Sequence, residues 1–177
     1  TCPDVIVMIG DDQLEVFSEE NMPAVLVYWG DTIANVPQPV PESAPPHRKA
    51  NRWGWFADKY IDYPVASGLG RHVIESLMEQ QFDVAHSNKL RPGQGMGHAF
   101  GYLYQRVLQQ KPIPTIPIMV NTYYPPNQIT PERCYRLGQA VRSAVESWSG
   151  EEKVAIVASG GLSHFVIDQD LDHEVIR

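Results

Sequence analysis

The apolar residues of the chain cluster first into short runs, of which those at 5–9 and 24–28 are continuous. Runs of this length are typical of strands that are buried on both faces of a sheet. They occupy residues 5–9, 24–28, 82–85, 115–120 and 153–158. The pattern therefore predicts five strands distributed along the whole chain.

Between these runs the apolar residues recur every three to four positions, which is the period of a helix with one buried face. One such stripe follows Ser67, which we expect to cap its helix. It consists of Leu69, Val73, Leu77 and Met78. A second helix is predicted over residues 99–110, and the acidic last residues have the pattern of a helix that is just beginning.

The clearest helical stripe lies near the carboxyl end of the chain. Thr130 is placed to cap this helix, Pro131 to take its first position and Gly150 to end it. The apolar stripe consists of Cys134, Leu137, Val141, Val145 and Trp148. Because Cys134 belongs to this stripe, we expect it to pack in the core rather than to be reactive.

Strands thus alternate with helices, which predicts an α/β fold with a mostly parallel central sheet and helices on both faces. The length of 177 residues fits a single domain, residues 1–177. Residues 36–50 contain five prolines and are expected to form an extended surface loop. Since the chain enters a strand almost at once and ends in a starting helix, we expect a domain that lacks segments at both ends.

Composition narrows the classes of partner. The formal net charge is −7, whereas nucleic acids and anionic membranes bind basic surfaces. No apolar run approaches the roughly 20 residues that a membrane span needs. Cys2 and Cys134 lie far apart and do not form a disulfide pattern. These features indicate a reduced, cytoplasmic protein that binds neither nucleic acid nor membrane.

Polar residues with useful chemistry follow the predicted strands. In parallel sheets, ligands bind outside the carboxyl ends of the strands, so the loops at 10–13, 86–98, 120–128 and 159–164 are expected to share one cleft. Those loops contain Asp11, Asp12, Gln13, His86, His98, Asn121, Tyr123, Tyr124, Ser163 and His164. Asp11 and Asp12 are adjacent, so at most one of them faces a given site.

His98 and His164 are the strongest catalytic candidates. Each lies in a glycine-containing turn, "GQGMGHAF" and "SGGLSHF", where a backbone without side chains lets a ligand approach closely. A neutral imidazole can accept a phenolic proton near pH 7. The alternative is that each histidine only caps a helix or bonds a carbonyl group. Ser163 lacks the following glycine of a hydrolase nucleophile turn, G-x-S-x-G.

Four stretches together resemble a known family. They read "PDVIVMIGDDQ", "FDVAHSNKLRPGQGMGHAF", "IPIMVNTYYPPNQITPERCYRLGQAVRSAVESW" and "VAIVASGGLSHF". In this order they are similar to the class III extradiol ring-cleavage dioxygenases, a group that includes protocatechuate 4,5-dioxygenase β subunits and gallate dioxygenases. The resemblance covers nearly the whole chain and is most specific at residues 115–165.

The resemblance implies an enzyme that opens an aromatic diol, of the catechol or gallate type, with O2 and non-haem Fe(II). The iron of such enzymes is held by two histidines and one glutamate. His164 resembles the acid/base residue and His98 the second active-site histidine. The expected substrate-binding residues are Asp12, Tyr123, Tyr124 and Ser163. A homo- or hetero-oligomer is expected.

The chain departs from the family at the metal ligands. The resemblance places one iron histidine before residue 1 and the iron glutamate after Arg177. It places the second histidine at Gln13 or, with a shift of one residue, at Leu14, and neither is a normal iron ligand. Three hypotheses follow: a dioxygenase with an incomplete or altered metal site, a non-catalytic paralogue that pairs with an active subunit, or an unrelated hydrolase or metal-binding domain.

Overall fold

The computed structural model describes residues 2–164 and 166–177. The strands are β1 (Val5–Asp11), β2 (Val25–Tyr28), β3 (Thr32–Asn35), β4 (Ile61–Pro64), β5 (Ala85–Ser87), β6 (Thr115–Val120) and β7 (Val154–Ser159). The α-helices are α1 (Pro46–Asn51), α2 (Ser67–Glu79), α3 (His98–Tyr102), α4 (Pro131–Glu146) and α5 (Gln169–Ile176). A 3₁₀ turn covers Arg52–Gly54, and a π-helical turn, Leu103–Val107, continues α3.

Five strands form the central sheet, in the order β5-β2-β6-β1-β7. Neighbouring strands run parallel except for β2 and β6, which are antiparallel. The predicted α/β class with a mostly parallel central sheet is therefore confirmed. The strands β3 and β4 form a separate antiparallel pair.

The antiparallel junction divides the sheet into two parts that point in opposite directions. The carboxyl ends of β1, β6 and β7 meet at one edge, whereas β2 and β5 end at the opposite edge. His86 lies in β5, and its Nδ1 accepts a hydrogen bond of 3.1 Å from Trp29 Nε1. The expectation that His86 joins the cleft of the other strand-end residues was therefore wrong, because β5 does not run parallel to β1.

Each face of the sheet has its own core, as expected when both faces are covered. On one face, α2 and α4 pack through Leu77 and Val141 onto the inner side chains of β1, β2 and β6. On the other face, α3 packs through Phe100, beside Met8 and Met119 of the sheet. The free edge strand β7 is less covered, since Ile156 is half exposed.

Most predicted elements recur, with some shifts at their ends. Strand β6 occupies the predicted residues, and the Thr130 side chain accepts a hydrogen bond from Arg133 N as a helix cap. Ser67 does not cap α2; it is the first helical residue, and its hydroxyl donates to Gly30 O. The predicted strand at 82–85 is displaced to β5, and Phe82 is instead a core residue.

Two features inside and next to the proline-rich segment were not predicted. The helix α1 begins at Pro46, at the end of that segment, and the pair β3–β4 flanks it on both sides. Short elements of this kind bury too few apolar residues to give a clear periodic signal. Within the described parts of the chain, no helix combines the length and apolarity that a bilayer crossing requires.

Candidate active site

A cavity of about 870 Å³ opens at the carboxyl ends of β1, β6 and β7. This volume lies within the range of about 300–1,000 Å³ that is usual for small-molecule sites. Polar groups reach it from Asp11, Gln13, His98, Thr122, Tyr123, Ser159 and His164, and its apolar lining includes Trp55, Tyr102 and Leu103. The fold thus brings together His98 and His164, which are 66 positions apart in the sequence.

The turn after β1 is organised by Asp12. This side chain is fully buried, and its carboxylate accepts hydrogen bonds from three backbone N–H groups, those of Glu15, Val16 and Phe17, at 2.8–3.1 Å. Burial raises the pKa of Asp12, while the three N–H groups act in the opposite direction. Asp12 therefore holds the turn together, and its proposed contact with substrate remains a prediction that this geometry does not favour.

The helix α3 lies very close to β1 because Gly10 has no side chain. A Cβ atom at Gly10 would lie 2.9 Å from Ala99 Cβ, which is closer than carbon atoms approach each other. On the neighbouring strand, Ser159 Oγ donates a hydrogen bond of 2.7 Å to Ala99 O. These contacts place the first residue of α3, His98, at the carboxyl edge of the sheet.

His98 forms a two-point contact with Glu15. One carboxylate oxygen accepts from the His98 backbone N–H, and the other lies 2.8 Å from the ring nitrogen Nδ1. This hydrogen bond, opposed by burial and supported by the charges of Glu15, Asp11 and Asp12, raises the pKa of His98. The ring also packs edge to face against Trp55, with centroids 6.0 Å apart.

The loop after β6 is organised by Asn121, which is fully buried. Its side-chain oxygen accepts from the backbone N–H groups of Tyr123 and Tyr124, and its Nδ2 donates to Tyr124 O. Tyr123 reaches the cavity, and its hydroxyl lies 3.0 Å from His164 Nδ1. Burial, together with the acidic groups nearby, raises the pKa of Tyr124, whose ring lies beside that of Tyr123.

The turn after β7 carries the second histidine. His164 is exposed and lines the cavity. The adjacent Ser163 is hydrogen-bonded to α5. Its N–H and its hydroxyl both donate to the Asp172 carboxylate, at 2.8 and 2.7 Å. This pairing ties the turn to α5, and a role of Ser163 in binding substrate stays a prediction. Phe165, the last residue of "SGGLSHF", lies outside the described residues.

Gln13 lines the cavity but is engaged within its own turn. Its Nε2 donates a hydrogen bond of 3.0 Å to Asp11 Oδ2. Leu14 is half exposed and adopts a left-handed backbone conformation. Across residues 2–164 and 166–177, no three His, Cys, Asp or Glu side chains are grouped so that they could hold a metal ion. The residues described here therefore do not form an iron site by themselves.

Two residues in and beside this cavity, Cys134 and Glu15, have surroundings that the sequence pattern did not predict. Cys134 is exposed and lines the cavity, so the expectation of core packing was wrong: the core side of α4 is formed by Leu137, Ala140, Val141 and Ala144. The pairing of Glu15 with His98 was not predicted. It joins residues 83 positions apart, and no spacing in the sequence signals such a contact.

Comparison with known proteins identifies the family of the chain. Residues 2–175 match the family described as the catalytic LigB subunit of aromatic ring-opening dioxygenase. Gallate dioxygenase of Pseudomonas putida is 38% identical over 111 residues, which cover 59% of this chain and 31% of that enzyme.

A second relative matches more of the chain. The 2,3-dihydroxyphenylpropionate/2,3-dihydroxicinnamic acid 1,2-dioxygenase of Comamonas testosteroni is 26% identical over 162 residues, covering 92% of this chain and 43% of that enzyme. The chain thus spans less than half the length of these curated relatives. Because the family match covers almost every residue, the hypothesis of an unrelated hydrolase or metal-binding domain was wrong, and the chain belongs to the LigB family of aromatic ring-opening dioxygenases.

Proposed function

We propose that the protein takes part in extradiol cleavage of an aromatic diol of the catechol or gallate type. In such a reaction both atoms of O2 enter the substrate, and the ring bond beside one hydroxyl group breaks. The observation that carries the proposal is the meeting of His98 and His164 in one cavity of suitable volume at the strand ends. The names of the related dioxygenases agree with a substrate of this class.

Within this proposal His164 moves the proton of a substrate hydroxyl. Its Nδ1 lies 3.0 Å from the Tyr123 hydroxyl, and we propose that Nε2 exchanges the proton with the substrate. A phenol can donate or accept a hydrogen bond. Tyr123 can therefore stabilise His164 with its proton on either ring nitrogen, which suits a group that first accepts and then returns a proton.

Fe(II) is the cofactor that the family resemblance implies, and its chemistry is the activation of O2 beside the bound diol. The described residues do not supply the necessary ligands, so we propose that a complete iron site requires donors other than these. We further propose that the protein is cytoplasmic and acts as a homo- or hetero-oligomer.

A reconstitution experiment tests this function. The purified protein is incubated with Fe(II) without oxygen, and O2 is then admitted with catechol, gallate or 2,3-dihydroxyphenylpropionate. We expect O2 uptake in step with a yellow ring-opened product. No O2 uptake by the protein with any of these diols, combined with no change in the O2 uptake of a ligand-complete homologue when the protein is added, would overturn the proposal.

A second function is favoured by the arrangement of Gln13. Its amide is bonded to Asp11 at the position where the family resemblance places a histidine ligand, which suits a non-catalytic paralogue that pairs with an active subunit. Under this alternative the isolated protein binds no iron and consumes no O2. It would co-purify with a ligand-complete homologue and change the activity of that homologue.

A further inference from the structure

We propose that Glu15 is a positioning residue that fixes the proton of neutral His98 on Nδ1 and presents Nε2 to the cavity as a hydrogen-bond acceptor for a hydroxyl of the diol. This inference deepens the proposed function, and its last part, the contact of Nε2 with the diol, rests on that function. The first step, the location of the proton, concerns only the described residues and can be measured without turnover.

The geometry of the contact determines which nitrogen carries the proton. An ionised carboxylate only accepts hydrogen bonds, so Nδ1, 2.8 Å from Glu15 Oε2, must be the donor. The other oxygen, Oε1, is fixed by the His98 backbone N–H at 2.8 Å. Two oxygens bound to one residue leave the carboxylate little freedom to rotate. The opposite ring nitrogen, Nε2, is then left without a proton in the neutral ring.

A second observation shows that the chain makes room for this carboxylate. A Cβ atom at residue 97 would lie 2.6 Å from Glu15 Oε2 and 3.3 Å from its Cδ. Only glycine allows the carboxylate to approach the backbone this closely. Gly97 has φ −65°, which any residue can adopt, so a larger residue here would be opposed by the position of the Glu15 carboxylate and not by backbone conformation.

Hydrogen bonds of the neighbouring loop residues hold Glu15 and His98 in position relative to each other. Gln94 Nε2 donates a hydrogen bond of 2.6 Å to Glu15 O, and Met96 N donates one of 2.7 Å to Ala34 O. The backbone N–H of Glu15 donates a hydrogen bond to the Asp12 carboxylate, which fixes Glu15 from the other side. Both side chains are mostly shielded, with 28% of His98 and 24% of Glu15 exposed. Water therefore competes little for the hydrogen bond between them.

The substitution Glu15→Gln tests the location of the proton. The His98 backbone N–H can only donate, so it keeps the amide oxygen and turns the amide NH₂ group towards Nδ1. Nδ1 must then accept, and the proton of the neutral ring moves to Nε2. Long-range ¹H–¹⁵N correlation spectra, recorded above the pKa of His98 and assigned with His98→Asn, read the protonated nitrogen directly.

We expect Nδ1–H in the wild type and Nε2–H in Glu15→Gln. The exposed Glu19 provides the matched control, and Glu19→Gln should leave His98 unchanged. Gly97→Ala should lower the Nδ1–H fraction by displacing the carboxylate, whereas Gly138→Ala, in open space on α4, should not. Nε2–H in the wild type, or Nδ1–H retained in Glu15→Gln, would overturn the proposal.

The role of Nε2 is tested by calorimetric titration with catechol under argon. A catechol hydroxyl can also accept, but its oxygen is a weaker acceptor than its O–H is a donor, so turning Nε2 from an acceptor into a donor should weaken catechol binding roughly tenfold in Glu15→Gln. Glu19→Gln should bind catechol as the wild type does. Equal affinity of Glu15→Gln and wild type would refute the substrate contact. A failure of the proposed function is recognised separately, as absence of O2 uptake, and leaves the ¹⁵N result unaffected.

Discussion

The two histidines of the cavity are supported in different ways. His98 lies on the covered side of the sheet, with Nδ1 held by a carboxylate that only accepts hydrogen bonds. His164 lies at the exposed edge beside β7, with Nδ1 near a tyrosine hydroxyl that can donate or accept. The first environment favours one location of the ring proton, whereas the second accommodates both. The difference suits His98 to binding and His164 to proton transfer.

The substitution with the largest expected effect tests the His164 side. Under the proposed function, His164→Phe removes the acid/base group and should slow turnover by roughly 10²–10⁴-fold. Because His164 is exposed, stability should stay within about 0.5 kcal/mol of wild type. Steady-state O2 uptake and urea unfolding measure the two quantities. An unchanged rate would show that His164 does not transfer the proton, and the proposed difference in role between His164 and His98 would then be wrong.

The next largest effect is expected at Asp12, which organises the turn that carries Glu15, the partner of His98. Asp12→Ala leaves three backbone N–H groups without their acceptor and should lower the free energy of unfolding by about 3 kcal/mol. Urea unfolding at neutral pH measures this loss, and the exposed Asp58→Ala serves as control. A loss below about 1 kcal/mol would show that the turn does not depend on Asp12.

A smaller, pH-dependent effect is expected for Glu15→Ala. Its hydrogen bond is the largest cause of the raised pKa of His98. A histidine whose pKa is raised on folding stabilises the protein fully below the unfolded pKa, about 6.5, and loses this contribution as the pH rises through the folded pKa. The destabilisation by Glu15→Ala should therefore be about 1–2 kcal/mol near pH 5.5 and less near pH 9.

Urea unfolding of Glu15→Ala, Glu19→Ala and wild type at these two pH values measures how the free energy of unfolding depends on pH. Glu19→Ala should follow the wild type at both values, because Glu19 is exposed. A larger effect of Glu15→Ala at the higher pH would contradict the sign and the assignment of the shift to His98.

The smallest effect is expected at Tyr123. Tyr123→Phe removes the hydroxyl beside His164 Nδ1 but keeps the ring, so turnover should fall about threefold to tenfold, the scale of one neutral hydrogen bond. Because the side chain is exposed at the cavity, stability should not change measurably. A loss as large as that of His164→Phe would mean that Tyr123 itself acts in proton transfer, and the two sides of the cavity would be less distinct than proposed.

The sequence alone determined the elements with strong periodic signals and the residues next to them. Buried strands such as β1 and β6 are continuous apolar runs, and α4 has a threonine cap, a proline start and an apolar stripe. Glycine-rich turns also indicated His98 and His164. These signals are local, since each depends on residues a few positions apart.

The tertiary structure decided what depends on contacts between distant segments. The antiparallel pairing of β2 with β6 sent His86 to the opposite edge, and the rotation of α4 brought Cys134 to the cavity instead of the core. The contact of Glu15 with His98 exists because the Asp12 turn and α3 meet across the end of β1. Local patterns carry no information about which segments pack together, so these features became visible only in the folded chain.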